Sequence, residues 1–175
     1  HEVNAVSSEV PTCMHWSERP ITWSQADHPT VMPSPGAYAL VLESTFSTER
    51  RTCHFGRVLM DGGSSINILY RETMERLGIK AKHLQPSRTV FHGIVPGLSC
   101  SLIGKVKIDF LFGDRDHFHH EPIWFQVVDL DSPYHTLLGR PALAKIMMVP
   151  HNAYLKAKML GPKGIITIAG DYKKL

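Results

Sequence analysis

The chain has 175 residues, of which 43% are hydrophobic and 20% are charged. This length is enough for one domain with a sizeable core, and the composition is typical of a globular protein and argues against a disordered one. The net charge is +3, and the basic residues are dispersed along the sequence, which is typical of a hydrated surface and not of a nucleic-acid-binding run.

Membrane-spanning and secreted proteins are the next classes that the sequence argues against. No apolar run approaches the roughly 18 residues of a membrane span, and the N-terminus lacks the pattern of a secretory signal. The three cysteines, Cys13, Cys53 and Cys100, are odd in number and widely spaced, so they predict neither a disulfide framework nor a CxxC metal site. We therefore expect an intracellular, cytoplasmic setting, and we expect the chain to be a segment of a longer polypeptide.

The first 36 residues predict an extended arm. They are rich in proline, and repeated proline prevents a continuous helix or a central strand. We predict that residues 1–36 lie on a core formed by residues 37–175, with one short strand-like run at 21–24. Trp16 and Trp23 can anchor this arm by burying their large apolar faces.

Short strands dominate the predicted core, and they cover residues 38–42, 52–60, 66–70, 88–112, 123–130, 136–139, 153–158 and 164–169. A polar turn at 44–49 joins the first two as a hairpin, and the last two form another. The clearest alternation runs from Val106 to Phe112 and predicts a half-buried strand. Helices are predicted only at 71–77, which ends at Gly78, and at 141–147. This pattern predicts a mostly-β fold, either a closed sandwich or a barrel, and not an α/β sheet.

The order of three motifs carries the chemistry. The first is a glycine-rich loop at the end of an apolar strand, Asp61-Gly62-Gly63-Ser64-Ser65. The second is a hairpin tip bracketed by glycines at 93–97. The third is an apolar pair followed by glycine, Leu137-Leu138-Gly139-Arg140. An aspartate at the end of a buried strand is held at the base of a cleft, and the glycines permit a tight turn in which N–H groups approach the carboxylate. Two such carboxylates at hydrogen-bonding distance share one proton, so they can supply both a base for water and an acid for a leaving amine.

This ordered set resembles the retropepsin-like aspartic peptidases, and most of all the protease segment of plant gypsy-class retrotransposon polyproteins. The resemblance covers nearly the whole chain and rests on residues 2–6, 21–28, 58–65, 91–97, 137–141 and 164–168. It implies a retropepsin-like closed β-barrel with a flap hairpin and one or two short helices.

The resemblance also implies roles for the residues of the loop. Asp61 matches the catalytic aspartate of the family's Asp-Thr/Ser-Gly triplet, and Gly63 matches its last glycine. Ser64 stands where relatives have a small or hydroxyl residue, and we expect its Oγ to hydrogen-bond Asp61. Gly62 departs from the usual triplet, because it lacks the hydroxyl that bonds across the dimer, although plant relatives of this type also have Asp-Gly-Gly.

Two further segments receive roles in the same way. The hairpin from residue 91 to about 102 resembles the substrate-binding flap, with the residues Phe91, Gly93, Ile94, Val95, Gly97 and Leu98. Leu137, Leu138 and Gly139 resemble the apolar pair and glycine that pack beneath the catalytic loop. In retroviral relatives, an arginine at the position of Arg140 pairs with an aspartate two positions after the last glycine of the triplet. This chain has Ser65 at that aspartate position, so the sequence predicts no partner for Arg140.

A homodimer follows from the number of triplets. The sequence has one, so the second carboxylate must come from another copy, and C2 symmetry places both on the axis. The resemblance implies an aspartic endopeptidase without metal or cofactor that processes a Gag–Pol polyprotein in a virus-like particle. We expect no membrane partner and no nucleic-acid partner. The alternative is a catalytically weak or inactive retropepsin-fold dimer that serves as a binding or scaffold module, and a nucleic-acid accessory domain is a weaker alternative.

Ordinary explanations remain open for the individual motifs. Asp61-Gly62 alone is typical of a turn, and 93–97 alone of a surface loop. The histidines at 117–120 match no standard zinc spacing, and the charged residues before them predict a solvated loop. Cys53 and His54 would point to opposite faces of a strand, so they do not predict a nucleophile and base pair.

Overall fold

The computed structural model describes residues 19–88, 101–113, 118–171 and 173. Within these ranges the regular elements, in chain order, are the strands β1 (Leu40–Ser47), β2 (Thr52–Met60) and β3 (Ile68–Tyr70), helix α1 (Arg71–Arg76), strands β4 (Leu102–Gly113), β5 (Phe118–Val128) and β6 (Thr136–Leu138), helix α2 (Arg140–Ile146), and strands β7 (Val149–His151), β8 (Lys156–Gly161) and β9 (Gly164–Ala169). Short 3-10 turns cover Gln25–Asp27 and Ala81–His83. None of the helices in these ranges has the length and hydropathy to cross a membrane.

Six strands close into a barrel in the order β1-β2-β6-β3-β5-β4. Strand β6 pairs in parallel with β2 and antiparallel with β3, so it lies between the strand before the 61–67 loop and the strand after it. The remaining strands, β7, β8 and β9, form a separate three-stranded sheet. The predicted mostly-β fold with a closed barrel and short helices is confirmed, while most of the predicted flap hairpin lies outside the described residues.

Aromatic side chains fill the barrel. Phe46 is fully buried, and its ring centroid lies 4.9 Å from that of Phe55 and 4.1 Å from that of Phe110. Strand β4 has the alternation that the sequence predicted, because Ile108, Phe110 and Phe112 are each 1% exposed. Such interlocked rings contribute large apolar areas to the core.

The predicted polar turn at 44–49 starts too early. Strand β1 continues to Ser47, and Ser44 within it is only 2% exposed. The Ser44 hydroxyl donates a hydrogen bond of 2.9 Å to the carbonyl of Leu111, so a polar residue is satisfied inside the barrel wall. The turn itself covers the residues after Ser47, and the β1–β2 hairpin is confirmed.

The predicted solvated loop at 117–120 is wrong for the residues that the structure describes. Strand β5 begins at Phe118, and the β4–β5 ladder extends to the pair Gly113 and Phe118. Backbone pairing with a long neighbouring strand therefore overrides the polarity of these side chains.

The C-terminal hairpin of β8 and β9 is confirmed, but β8 begins later than predicted, at Lys156. A turn precedes it, in which Leu155 has a positive φ of 49°. The short strand β7 was not predicted. It contains Pro150, and proline argues against a strand inside a sheet because it cannot donate a backbone hydrogen bond.

The described part of the arm lies against the three-stranded sheet. Residues 21–24 are not a strand, contrary to the prediction, and Ser24 caps the 3-10 turn that follows. Lys158 Nζ lies 2.8 Å from Asp27 Oδ1 and 4.7 Å from the centroid of the Trp23 ring. The hydrogen bond from Lys158 lowers the pKa of the Asp27 carboxyl, and the Ser24 N–H lowers it further.

We expect Phe46→Ala to lower the free energy of unfolding by about 3–5 kcal/mol, because it leaves a cavity among buried rings. The same substitution at Phe118, which is 39% exposed, should cost less than about 1 kcal/mol. Equilibrium denaturation in urea measures both values. Equal losses would contradict the assignment of Phe46 to the core.

Candidate active site

Asp61 directly follows the last residue of β2. Its backbone N–H donates a 2.9 Å hydrogen bond to the carbonyl of Leu138 in β6, which extends the parallel pairing of Met60 with Leu138 by one step. The side chain is half-buried. The barrel wall therefore fixes the backbone from which the carboxylate projects.

The residues after Asp61 form a tight turn around its carboxylate. The N–H of Gly63 donates to Asp61 Oδ1 at 2.9 Å, and the N–H of Ser64 donates to the Asp61 carbonyl at 3.2 Å. A Cβ on Gly63 would lie only 3.1 Å from the same carboxylate oxygen. The approach of a backbone N–H that the glycines predicted is therefore present, and Asp61 Oδ2 has no hydrogen-bond partner within the described residues.

The predicted hydrogen bond from Ser64 to Asp61 is wrong. Ser64 Oγ donates to the Ile66 carbonyl at 2.8 Å and accepts from the Ile66 N–H at 3.3 Å. Serine hydroxyls commonly satisfy the backbone two residues away. Ser64 therefore stiffens the loop instead of contacting the carboxylate.

Gly139 allows β6 to approach this loop from below. A Cβ at this position would lie 2.1 Å from the Ile66 carbonyl oxygen and 2.8 Å from that of Ser64. Leu138 is fully buried in the main core, whereas Leu137 packs with the smaller cluster around Ile68. The structure therefore brings the predicted apolar pair and glycine against the loop.

Asn67 is the residue whose structural importance the sequence did not show. It is 5% exposed, and its Oδ1 accepts from the N–H groups of Gly139 at 2.9 Å and Ala142 at 3.2 Å. Its Nδ2 donates to the Trp124 carbonyl at 3.0 Å. An amide inside an apolar run was the available signal, because a buried polar side chain needs partners. Asn67 joins the loop, β6, α2 and β5.

Arg140 contacts the loop through two donors. Its backbone N–H donates to the Ser64 carbonyl at 2.8 Å, and its Nη1 reaches the Gly63 carbonyl at 3.5 Å. The sequence predicted no partner for Arg140. Its partners in the structure are two backbone carbonyls and not an acidic side chain. Charge and backbone bonding together hold the loop against the start of α2.

One side of the loop is exposed in the part of the chain that the structure describes. Gly62, Gly63 and Ser65 are exposed, and a Cβ on Gly62 would meet no atom of the described residues within 4 Å. The predicted flap residues Phe91, Gly93, Ile94, Val95, Gly97 and Leu98 lie outside the described residues. The described part of the site is thus one carboxylate on a supported turn with an uncovered outer face.

A cleft of about 440 Å³ lies away from Asp61, between α1 and the residues before β6. His135 lines it and is held from two sides, because its Nδ1 accepts from the Arg57 N–H at 3.2 Å and its Nε2 lies 3.1 Å from Arg76 Nη1. Burial lowers the pKa of His135, and the charges of Arg76 and Arg57 lower it further. Burial and the two arginines therefore disfavour the protonated imidazole beside the β2–β6 pairing.

Comparisons with known proteins give structural likeness without a sequence match. No protein-family model matches the chain, and no curated protein matches it. The retroviral protease-like domain of Ddi1 from Leishmania major is similar at a TM-score of 0.49 and 13% identity, over 75% of this chain and 93% of that one. A retropepsin-like aspartic protease from Rickettsia conorii is similar at a TM-score of 0.45 and 16% identity, over 75% of this chain and 86% of that one.

We expect Gly139→Ala to destabilise the protein by at least about 3 kcal/mol, because its methyl group would overlap two loop carbonyls. Gly62→Ala is the matched control and should change the free energy of unfolding by no more than about 0.5 kcal/mol, since that position is open. Thermal and urea denaturation measure both. A Gly139→Ala protein as stable as the parent would show that β6 does not press against the loop.

The lowered pKa of His135 predicts a dependence of stability on pH. The folded protein holds this proton more weakly than the unfolded chain, whose histidine titrates at about 6.5. Stability is therefore fully present above that value and is lost as the pH falls from it toward the folded pKa. In His135→Gln, denaturation curves between these two pH values should lose this part of the acid sensitivity, and an unchanged pH profile would contradict the assignment.

Proposed function

We propose that this chain is an aspartic endopeptidase that is active as a homodimer, with Asp61 of each copy forming the catalytic pair. The observation that carries the proposal is the setting of Asp61. One carboxylate oxygen accepts a backbone N–H within a turn that the barrel holds from below, while the other has no partner in the described part of the chain. The exposed glycines beside this oxygen leave room for a second carboxylate and a water, which supports the proposal.

The chemistry requires two carboxylates and one proton. The ionised Asp61 takes a proton from water as the water oxygen bonds to the scissile carbonyl carbon. The protonated Asp61 of the other copy gives its proton to the carbonyl oxygen, which forms a tetrahedral diol. The carboxyl that took the proton from water then gives it to the amide nitrogen. As the C–N bond breaks, the ionised carboxylate of the other copy takes a proton from one diol hydroxyl, so the products are a carboxylic acid and an amine and the pair again holds one proton.

A second copy is needed because a single carboxylate cannot be acid and base in the same step. The loop surface supports such an arrangement, since Gly62, Gly63 and Ser65 are exposed in the described part of the chain. A C2 axis through the uncovered side would bring equivalent loops together.

The substrate we propose is an extended polypeptide, bound as an added strand between the floor of the site and the segment 91–102. The motifs that resemble plant gypsy-class retrotransposon proteases support Gag–Pol as this polypeptide. The same resemblance supports action in the cytoplasm or inside a virus-like particle, and it supports the proposed roles of Phe91, Gly93, Ile94, Val95, Gly97 and Leu98 as the flap.

Gly62 supports a second candidate, a retropepsin-fold dimer that binds protein without cleaving it. The position has no hydroxyl to bond across the proposed dimer, and no atom of residues 19–88, 101–113 or 118–171 lies within 4 Å of a Cβ placed there. A loop without that support holds its carboxylate less firmly. Tight binding of a pepstatin-like transition-state analogue by the parent and not by Asp61→Asn would argue against this candidate.

We expect Asp61→Asn to lower kcat/KM for Gag–Pol peptides by about 100-fold to 10,000-fold, because neutral asparagine can neither take nor give the proton. Peptide cleavage at mildly acid pH measures the loss. Asp131→Asn, at an exposed position beside α1, is the matched control and should keep full activity. Peptide cleavage by Asp61→Asn at the parental rate would contradict the proposed mechanism.

A further inference from the structure

The fold gathers basic residues that are far apart in the sequence. Arg50 lies in the turn between β1 and β2, Lys80 precedes the 3-10 turn Ala81–His83, and Lys82 lies within that turn. Lys105 and Lys107 lie on β4. We call these five residues, with His83 and Trp124, the basic face. The dispersed charge of the sequence thus becomes concentrated once the barrel closes.

Trp124 is the aromatic member of the basic face. It is 42% exposed, an unusual state for a large aromatic side chain, and it pairs with Lys107 across the β4–β5 ladder. Because side chains two residues apart on a strand share a face, Lys105 and Lys107 flank it on the same side of the sheet. Their Nζ atoms lie over the indole ring as cation–π contacts, 5.1 Å and 5.9 Å from its centroid, so a base that stacks on that face would displace them toward its phosphates.

Five residues of the basic face line one cleft of about 360 Å³: Arg50, His83, Lys105, Lys107 and Trp124. Glu49 and Asp109 line it as well, so three lysines and arginines in the cleft face two carboxylates, and Lys80 and Lys82 lie near His83 outside its lining. Asp109 also lies 3.8 Å from His120 Nε2. The cleft therefore carries excess positive charge next to an exposed flat ring.

The surroundings of His83 have the same excess of positive charge. Partial burial lowers its pKa, and Arg50, Lys82 and Lys80 lower it further because they oppose a second positive charge. These cations come from two separate segments of the chain. A positive potential of this kind attracts an anion with several charges.

We propose that the basic face binds single-stranded nucleic acid. An unpaired base stacks on the Trp124 ring, and the phosphates on either side of it lie against Lys105, Lys107 and Arg50. Every base offers a flat face, so this mode is tolerant of sequence, and the lysines next to the ring are placed for the backbone. An acidic peptide would use the charges and leave the ring unused. The basic face contains no residue of the Asp61 loop, so the proposal of nucleic-acid binding does not depend on the proposed peptidase activity.

The test uses fluorescence anisotropy of the full chain with a labelled oligothymidine of about 16 nucleotides, starting near about 50 mM salt. Trp124→Ala should weaken binding about ten-fold or more, and Trp124→Phe should keep part of the affinity. Replacement of Lys105 and Lys107 by glutamine should lower the slope of log affinity against log salt by about 1.4. The matched control replaces Lys145 and Lys163, two exposed lysines of α2 and the β8–β9 turn, and should change neither quantity.

Four results would overturn the proposal. They are no binding by the parent at low salt, equal binding by Trp124→Ala, an equal loss in the Lys145 and Lys163 control, and equal affinity for a duplex or for poly-glutamate. The last result would identify a general polyanion surface. The Trp124 substitutions leave the backbone carbonyl that Asn67 binds in place, so far-UV circular dichroism should show the parental fold in each variant.

Discussion

The position of Asp61 depends on how closely two backbone segments approach each other. Position 139 lies so near the carbonyls of Ser64 and Ile66 that only glycine fits between them. This contact lets Asn67 accept the Gly139 N–H and lets Leu138 accept the N–H of Asp61. The loop is therefore part of the barrel wall, and the pairing of β2 with β6 holds the backbone of Asp61 in place. Preorganisation of this kind is what acid–base chemistry requires of its groups.

The same arrangement is the basis for the proposal that the described site is one half of a catalytic centre. Gly139, Arg140 and Asn67 support the loop through backbone contacts and hydrogen bonds. In the described part of the chain, Gly62, Gly63 and Ser65 are exposed, and one Asp61 carboxylate oxygen has no hydrogen-bond partner. A supported loop with these exposed residues fits the proposed site that a second copy completes. The basic face on β4 and β5 uses other residues, so one small barrel has room for both proposed roles.

Local patterns predicted most of the fold. The alternation of Ile108, Phe110 and Phe112, the helix end at Gly78 and Pro141 at the start of α2 depend on near neighbours in sequence, and the structure has each of them. The failures came where distant contacts decide. The Ser44 hydroxyl finds its acceptor 67 residues away, and Phe118 becomes a strand residue because β4 is long enough to pair with it. Within the site, the sequence supplied Asp61 and the glycines but not the partners of Arg140 and Ser64, because those partners are backbone carbonyls that only the folded chain brings near. The basic face escaped prediction for the same reason.

The most direct test of the account is peptidase activity per chain across a concentration series, with the association state measured by sedimentation on the same samples. If each copy supplies one Asp61 to a shared site, activity per chain rises in proportion to the dimer fraction and vanishes in dilute solution. Activity per chain that stays constant when sedimentation shows monomers alone would contradict the account.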